Sequence, residues 1–389
     1  MADAIKQGED PETSLFLLPE HWRDPDITPR RFLQHHDIFD YIVDENAPVA
    51  EQLAQLKTRY TILASHIVQF LEEEEVLTVS GADKWVRTTP GYWPDEFASA
   101  PYHAGTFAYN WGYRYLDEMK WTKAQKKQLV SRLDGYCVQE DFDSIVSRLR
   151  HNDRSWFPKY VTTAFLMKTA VETFFCHPFW YVEPLPKGQE AFTSDAEWQG
   201  VSPHGVVLEE LFAQFGKVNI QFARIWRALA ARLCNQKQYP ADYEKTLRAR
   251  RLARCQSLAK EILADKVFSC LMKPITDDDQ AQTREDHLAY ALGEMSNIAA
   301  NMHTQNHCLR FETLHDLEPR FTQASRTMEP MYERYLAAGQ TKFDGCRALL
   351  LEHPHVLRDG YANGMDGETV TVVPASALLD FTNVPKEHH

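Results

Sequence analysis

At 389 residues, 44% hydrophobic and 25% charged, the chain is long enough to bury one large core or two of ordinary size. A formal net charge of −13 argues against a general nucleic-acid binder unless basic residues are gathered in one place. No run approaches the roughly 20 apolar residues of a membrane span.

The opening MADAIKQGEDPETS is acidic and polar, unlike a secretory or transit segment. The closing VPKEHH carries no lipidation or retention signal. Seven scattered cysteines without a CxxC pair read as reduced thiols, several buried, in a cytoplasmic protein.

Residues 1–12 are expected to be disordered. From Pro48 the first helix is predicted, with Leu53, Leu56, Tyr60, Leu63, Ile67 and Phe70 recurring at intervals of three and four. The Gly-, Pro- and aromatic-rich stretch 78–118 reads as loop. Further helices are predicted near 122–150, 159–176, 205–235, 241–272, 284–311 and 318–338, with a short one near 342–352. Between 177 and 204 lies a long Pro/Gly/Ser-containing excursion of the kind that serves as a lid or binding loop. After Gly360 only ETVTVV alternates, as a strand or an extended arm. The expected class is all-α: one bundle-like helical domain over 13–360 with an extended C-terminal tail over 361–389.

Within the 205–235 segment, Val218, Phe222, Ile225, Leu229 and Leu233 are predicted to give the helix its core face. Arg224, Arg227 and Arg232 lie beside that stripe, where their stems cover apolar surface and their heads reach water or an anion. They open the one strongly basic stretch. Residues 221–260 hold ten cations against Asp242 and Glu244, a net +8, which leaves −21 for the remainder. Two uses fit this asymmetry: a track for a phosphate backbone, or pairing with acidic helices of the same chain. Lys123, Lys126 and Lys127, and Arg148, Arg150 and Arg154, would extend such a surface.

His303 and His307, four apart in a predicted helix, would share a face as helical metal ligands do. Thr304 stands where the zinc-protease pattern needs Glu. Glu312 and His315 make a single ExxH, where di-iron bundles use two with further glutamates. Asp277–Asp279 invite comparison with a metal–diphosphate site, but the companion motif fails: Ser155 falls one position early and Tyr160 occupies its Glu position. Acids there are better placed to cap a helix. There is no phosphate-binding glycine loop, no GxSxG elbow and no dinucleotide fingerprint.

HPFWYVE (177–183) and NIQFARIWRALAARL (219–233) together resemble a group of fungal proteins related to arginine-containing cyclodipeptide synthases. Ala228 and Leu229 depart from it where polar residues commonly follow the Trp-Arg pair. The resemblance implies an enzyme that condenses an arginyl group with a second aminoacyl group, both from charged tRNAs. The ester is already activated, so it implies no cofactor and no metal, with aminoacyl-tRNA as partner and no membrane. Candidates to pair with the arginyl guanidinium are Glu172, Glu183 and Glu209–Glu210. Candidates for the proton acceptor are His204 and Glu209. The RNA track would comprise Arg224, Arg227, Arg248, Arg250, Arg251 and Arg254. Two other classes stay open: a metal-dependent helical enzyme using His303 and His307, and a non-catalytic interaction protein.

Overall fold

The computed structural model describes residues 47–57, 92–183, 202–235, 242–305, 308–331, 343–358 and 369–382. Met1–Val76 and Leu77–His389 form two compact units. In the first, 49–57 is helical, as the spacing of Leu53 and Leu56 predicts; the rest of that predicted helix, the 1–12 segment and most of the 177–204 excursion lie outside the described residues.

In the second unit the helices are α1 (Tyr92–Trp111), α2 (Lys123–Arg132), α3 (Phe142–Ser147), α4 (His151–Ala170), α5 (Pro203–Val218), α6 (Ile220–Cys234), α7 (Asp242–Ala264), α8 (Lys266–Ser269) and α9 (Asp278–His303). Helix α1 occupies much of the stretch read as loop. Its Phe97, Ala100, Ala104 and Phe107 are buried at helical spacing, a face that Gly, Pro and Tyr in the same run obscure. The layer runs α7 on α9, α9 on α1, α1 on α4. Asp277 caps α9 by accepting from the Asp279 amide at 3.1 Å, the role its place before a helix suggests.

The fold is not all-α: among the described residues 60% are helix and 13% strand, with two three-stranded sheets near the C-terminus. One sheet has the order β1 (Leu309–Glu312), β4 (His355–Arg358), β5 (Val370–Val373), all antiparallel. The other has β2 (Met328–Pro330), β6 (Ala375–Leu379), β3 (Ala348–His353), with β2 parallel to β6. β3 and β4 are separated by Pro354 alone, and β5 and β6 by Pro374 alone. At each of these prolines, which cannot donate to the ladder, the chain leaves one sheet and enters the other. β3 packs on α4. ALLLEH and ASALL are buried almost throughout, so they show no alternation and consist of good helix formers. That is why 342–352 reads as a short helix, and why part of the expected tail proves to be sheet core.

Helix α6 is rotated from its predicted orientation. Val218 just before it is 88% exposed, and Phe222 and Leu233 are 63% and 68% exposed. The buried face carries Ala223, Ile225, Arg227, Ala228, Ala231 and Arg232. Alanines admit the helix close to its neighbours, and the arginines reach the end of α9. Arg227 donates to the carbonyls of His303 at 3.0 Å and Gln305 at 2.6 Å, and Arg232 Nε to that of Thr304 at 2.8 Å. A helix leaves its last carbonyls unpaired, and each buried orphan costs about 1–3 kcal/mol. Exposing a large apolar side chain forgoes about 1.5–3 kcal/mol. Three satisfied carbonyls therefore offset three exposed hydrophobics, and cations at a helix C-terminus also complement its dipole.

Candidate functional site

The last turn of α4 widens into a π turn, Val171–Phe175, closed by the Cys176 amide donating to the Val171 carbonyl at 3.0 Å. Such turns recur where a helix must present side chains out of register. The chain then runs through 177–183, anchored by Phe179, Trp180 and Tyr181, each at most 1% exposed. Against this segment sits the N-terminus of α5. Ser202 caps it, its hydroxyl accepting from the Gly205 amide at 2.7 Å and donating to the Val182 carbonyl. A Cβ on Gly205 would lie 2.3 Å from the Phe179 carbonyl oxygen, so only glycine permits this approach.

The approach brings two histidines to two glutamates. His177 Nδ1 lies 2.9 Å from Glu209 Oε2, and His204 Nδ1 lies 3.2 Å from Glu183 Oε2. A carboxylate only accepts, so each imidazole donates from Nδ1, and the neutral ring keeps its Nε2 lone pair. The hydrogen bond to Glu209 holds the His177 pKa above the usual value, against the opposing effect of burial. The remaining oxygens, Glu183 Oε1 and Glu209 Oε1, are buried and have no hydrogen-bond partner. A buried bare carboxylate oxygen is costly unless a donor arrives.

Cys176 adjoins this cluster. Desolvation by the surrounding protein, then the charges of Glu172 and Glu209, push its thiol up to about 11, although the residue itself is exposed. Of the sequence-chosen acids, Glu183 and Glu209 enter the cluster. Glu172 pairs with Lys168 at 3.2 Å on the rim, and Glu210 faces solvent. His204 meets Glu183. His177 was not singled out by the sequence, although HPFWYVE contains it: 32 residues separate it from Glu209, and no local period joins them.

The expected six-arginine track is largely internal. Arg227, Arg250 and Arg254 are 3%, 6% and 5% exposed, Arg224 and Arg251 half-buried, and only Arg248 is exposed. Arg250 donates to the Glu183 carbonyl, beneath the cluster. Arg251 lies over the Tyr181 ring at 5.0 Å and donates to Asn235 Oδ1, and Arg254 pairs with Glu261 at 2.5 Å. Among the described residues, backbone carbonyls accept from Arg227, Arg232 and Arg250, and the carboxylate of Glu261 pairs with Arg254.

The helix predicted to carry His303 and His307 stops short of the second of them. Helix α9 ends at His303, and His307 lies outside the described residues. His303 Nε2 donates to the Phe174 carbonyl at 3.2 Å, which leaves Nδ1 facing Arg227 at 3.5 Å. Burial and that guanidinium pull its pKa down to about 3. Neither nitrogen offers a lone pair to a metal. Glu312 is in β1 rather than a helix, bound to His355 at 2.9 Å, and His315 meets Asp134 at 3.1 Å. Among the described residues, no three His, Cys, Asp or Glu side chains are arranged to hold a metal ion. No helix there is long and apolar enough to cross a membrane.

Compared with known proteins, the chain matches no family model, and no curated protein and no solved structure is significantly similar to it.

Proposed function

We propose that the chain is an aminoacyl-tRNA-dependent transferase that condenses an arginyl group with a second aminoacyl group into a cyclic dipeptide. The observation that supports this reading is the pair of His–Glu contacts with two buried, unpartnered carboxylate oxygens. A guanidinium presents five donors in a planar fork and is the side chain best matched to bare carboxylate oxygens. Glu183 is the acceptor assigned to it.

His177, oriented by Glu209, is the proton acceptor in this scheme. The amine of one aminoacyl group attacks the ester carbonyl of the other, a C–N bond forms, and the N–H proton moves to His177 Nε2. The ester C–O bond then breaks, and the tRNA hydroxyl leaves with the proton from the imidazolium. Ring closure repeats the same exchange. No phosphoryl transfer is needed, because the ester supplies the activation.

RNA contact in this reading rests on exposed Arg248 and Lys245 and on half-buried Arg224 and Arg251, a smaller set than the sequence suggests. A non-catalytic interaction protein is the second reading, favoured by the exposed Val218, Phe222 and Leu233. Release of labelled arginine from arginyl-tRNA separates the two. The transferase consumes the ester faster than its spontaneous hydrolysis, and an interaction protein leaves it unchanged.

A further inference from the structure

A second feature of the Leu77–His389 unit has a different chemistry. A cleft of about 380 Å³ opens between the loop preceding α2, the end of α7, α8 and the loop leading into α9. Three cations line it, Lys120, Lys273 and Arg284, and no carboxylate does. Among the described residues none of the three is in an ion pair. In a chain of net charge −13, three uncompensated cations around one concavity are an anion site by elementary electrostatics.

The walls are braced from behind. Trp121 Nε1 donates to the Cys270 carbonyl at 2.8 Å, and Gln125 Nε2 to Cys270 Sγ at 3.0 Å. Gln125 Oε1 accepts from the Thr122 amide at 2.8 Å. Arg284 Nη1 donates to the Lys273 carbonyl at 3.1 Å, fixing the guanidinium beside the loop that carries Lys273. Burial, with no acid to offset it, pulls the Arg284 pKa down, so the guanidinium is held without a counter-charge. The rest of the lining is mixed, with apolar Trp121, Leu263, Met272 and Pro274 beside polar Gln125 and Ser269.

We propose that this cleft binds the phosphate monoester of a small organic molecule. A monoester carries a charge of about −1.5 to −2 near pH 7, which suits three cations better than a single carboxylate does. Pockets for small molecules span roughly 300–1,000 Å³ and combine apolar walls with a few convergent polar groups. The volume here is that of one small ligand. The cleft shares no residue with the His177–Glu209 cluster, and the proposal stands apart from the aminoacyl-transfer reading.

The test is calorimetric titration of the full chain with adenosine 5′-monophosphate and with adenosine. Saturable binding of the monophosphate is expected, with adenosine at least tenfold weaker. Lys120→Gln with Lys273→Gln is expected to weaken the monophosphate at least tenfold while thermal unfolding is unchanged, because both side chains lie outside the core. Lys120→Gln alone, the mildest change at an exposed position, is expected to weaken it severalfold. No binding at millimolar monophosphate, equal affinity for adenosine, or undiminished affinity in the substituted chains would each overturn the proposal.

Discussion

Arg227 donates to the carbonyl oxygen of His303 at 3.0 Å, across 76 positions of sequence. With Arg232 on Thr304, it makes helix α6 the C-terminal cap of helix α9. The arginines of an acidic chain are here a means of ending a buried helix.

Arg227→Leu removes donors from two carbonyls and leaves them buried. The expected loss is about 2–4 kcal/mol of unfolding free energy. Arg227→Lys keeps the charge but not the fork, and is expected to lose about half as much. Urea denaturation measures both. A loss below about 0.5 kcal/mol would mean that water or other groups satisfy those carbonyls.

His303 and His353 are buried as neutral rings, with pKa values pulled down to about 3 and about 4. Below the unfolded value near 6.5 the unfolded chain binds more protons than the folded one. Stability is therefore full above pH 6.5 and falls as pH drops toward 4. His353→Gln is expected to make the fall between pH 7 and pH 5 shallower, read from denaturation midpoints at the two values. An unchanged slope would remove His353 from the account.

For His177 the sign is opposite. Its pKa is raised by Glu209, so the stability from this pair is complete below the unfolded value and is lost as pH rises through the folded one. Glu209→Gln is expected to lower the His177 pKa, followed by NMR titration of its ring protons. In the transferase reading the same substitution moves the acid limb of the rate profile to lower pH, because the neutral ring is the active form. A pKa that does not move would disconnect the pair.

Gly205→Ala places a methyl group 2.3 Å from the Phe179 carbonyl oxygen. The start of α5 must shift, at an expected cost of about 1–3 kcal/mol. The His204–Glu183 and His177–Glu209 contacts are expected to loosen together, seen as a fall of the His177 pKa toward its ordinary value. A fully stable variant with an unshifted His177 would show that the segments tolerate separation.

Helices with a regular apolar period, and the cap at Asp277, were legible in the sequence, because both are local. What was not legible depends on distant partners. β3 and β6 are buried almost throughout and consist mainly of Ala and Leu, so they carry no strand period. In and just before α6, Val218, Phe222 and Leu233 of the predicted core stripe are exposed while Arg227 and Arg232 turn inward to the carbonyls at the end of α9, and no window on α6 contains that information. Glu183, Glu209 and His204, singled out by chemical type, lie in one cluster. His177 was missed because only the close packing at Gly205 joins it to Glu209.

The His177–Glu209 pair is proposed to promote condensation of an arginyl group. The most direct measurement supplies the purified chain with arginyl-tRNA and a full set of other aminoacyl-tRNAs, and looks for arginine-containing cyclic dipeptides by mass spectrometry. Such a product is expected from the native chain, none from His177→Ala, and at least a tenfold reduction with Glu209→Gln while both variants remain folded. Absence of any cyclic dipeptide from the native chain, or undiminished product from His177→Ala, would contradict the proposal.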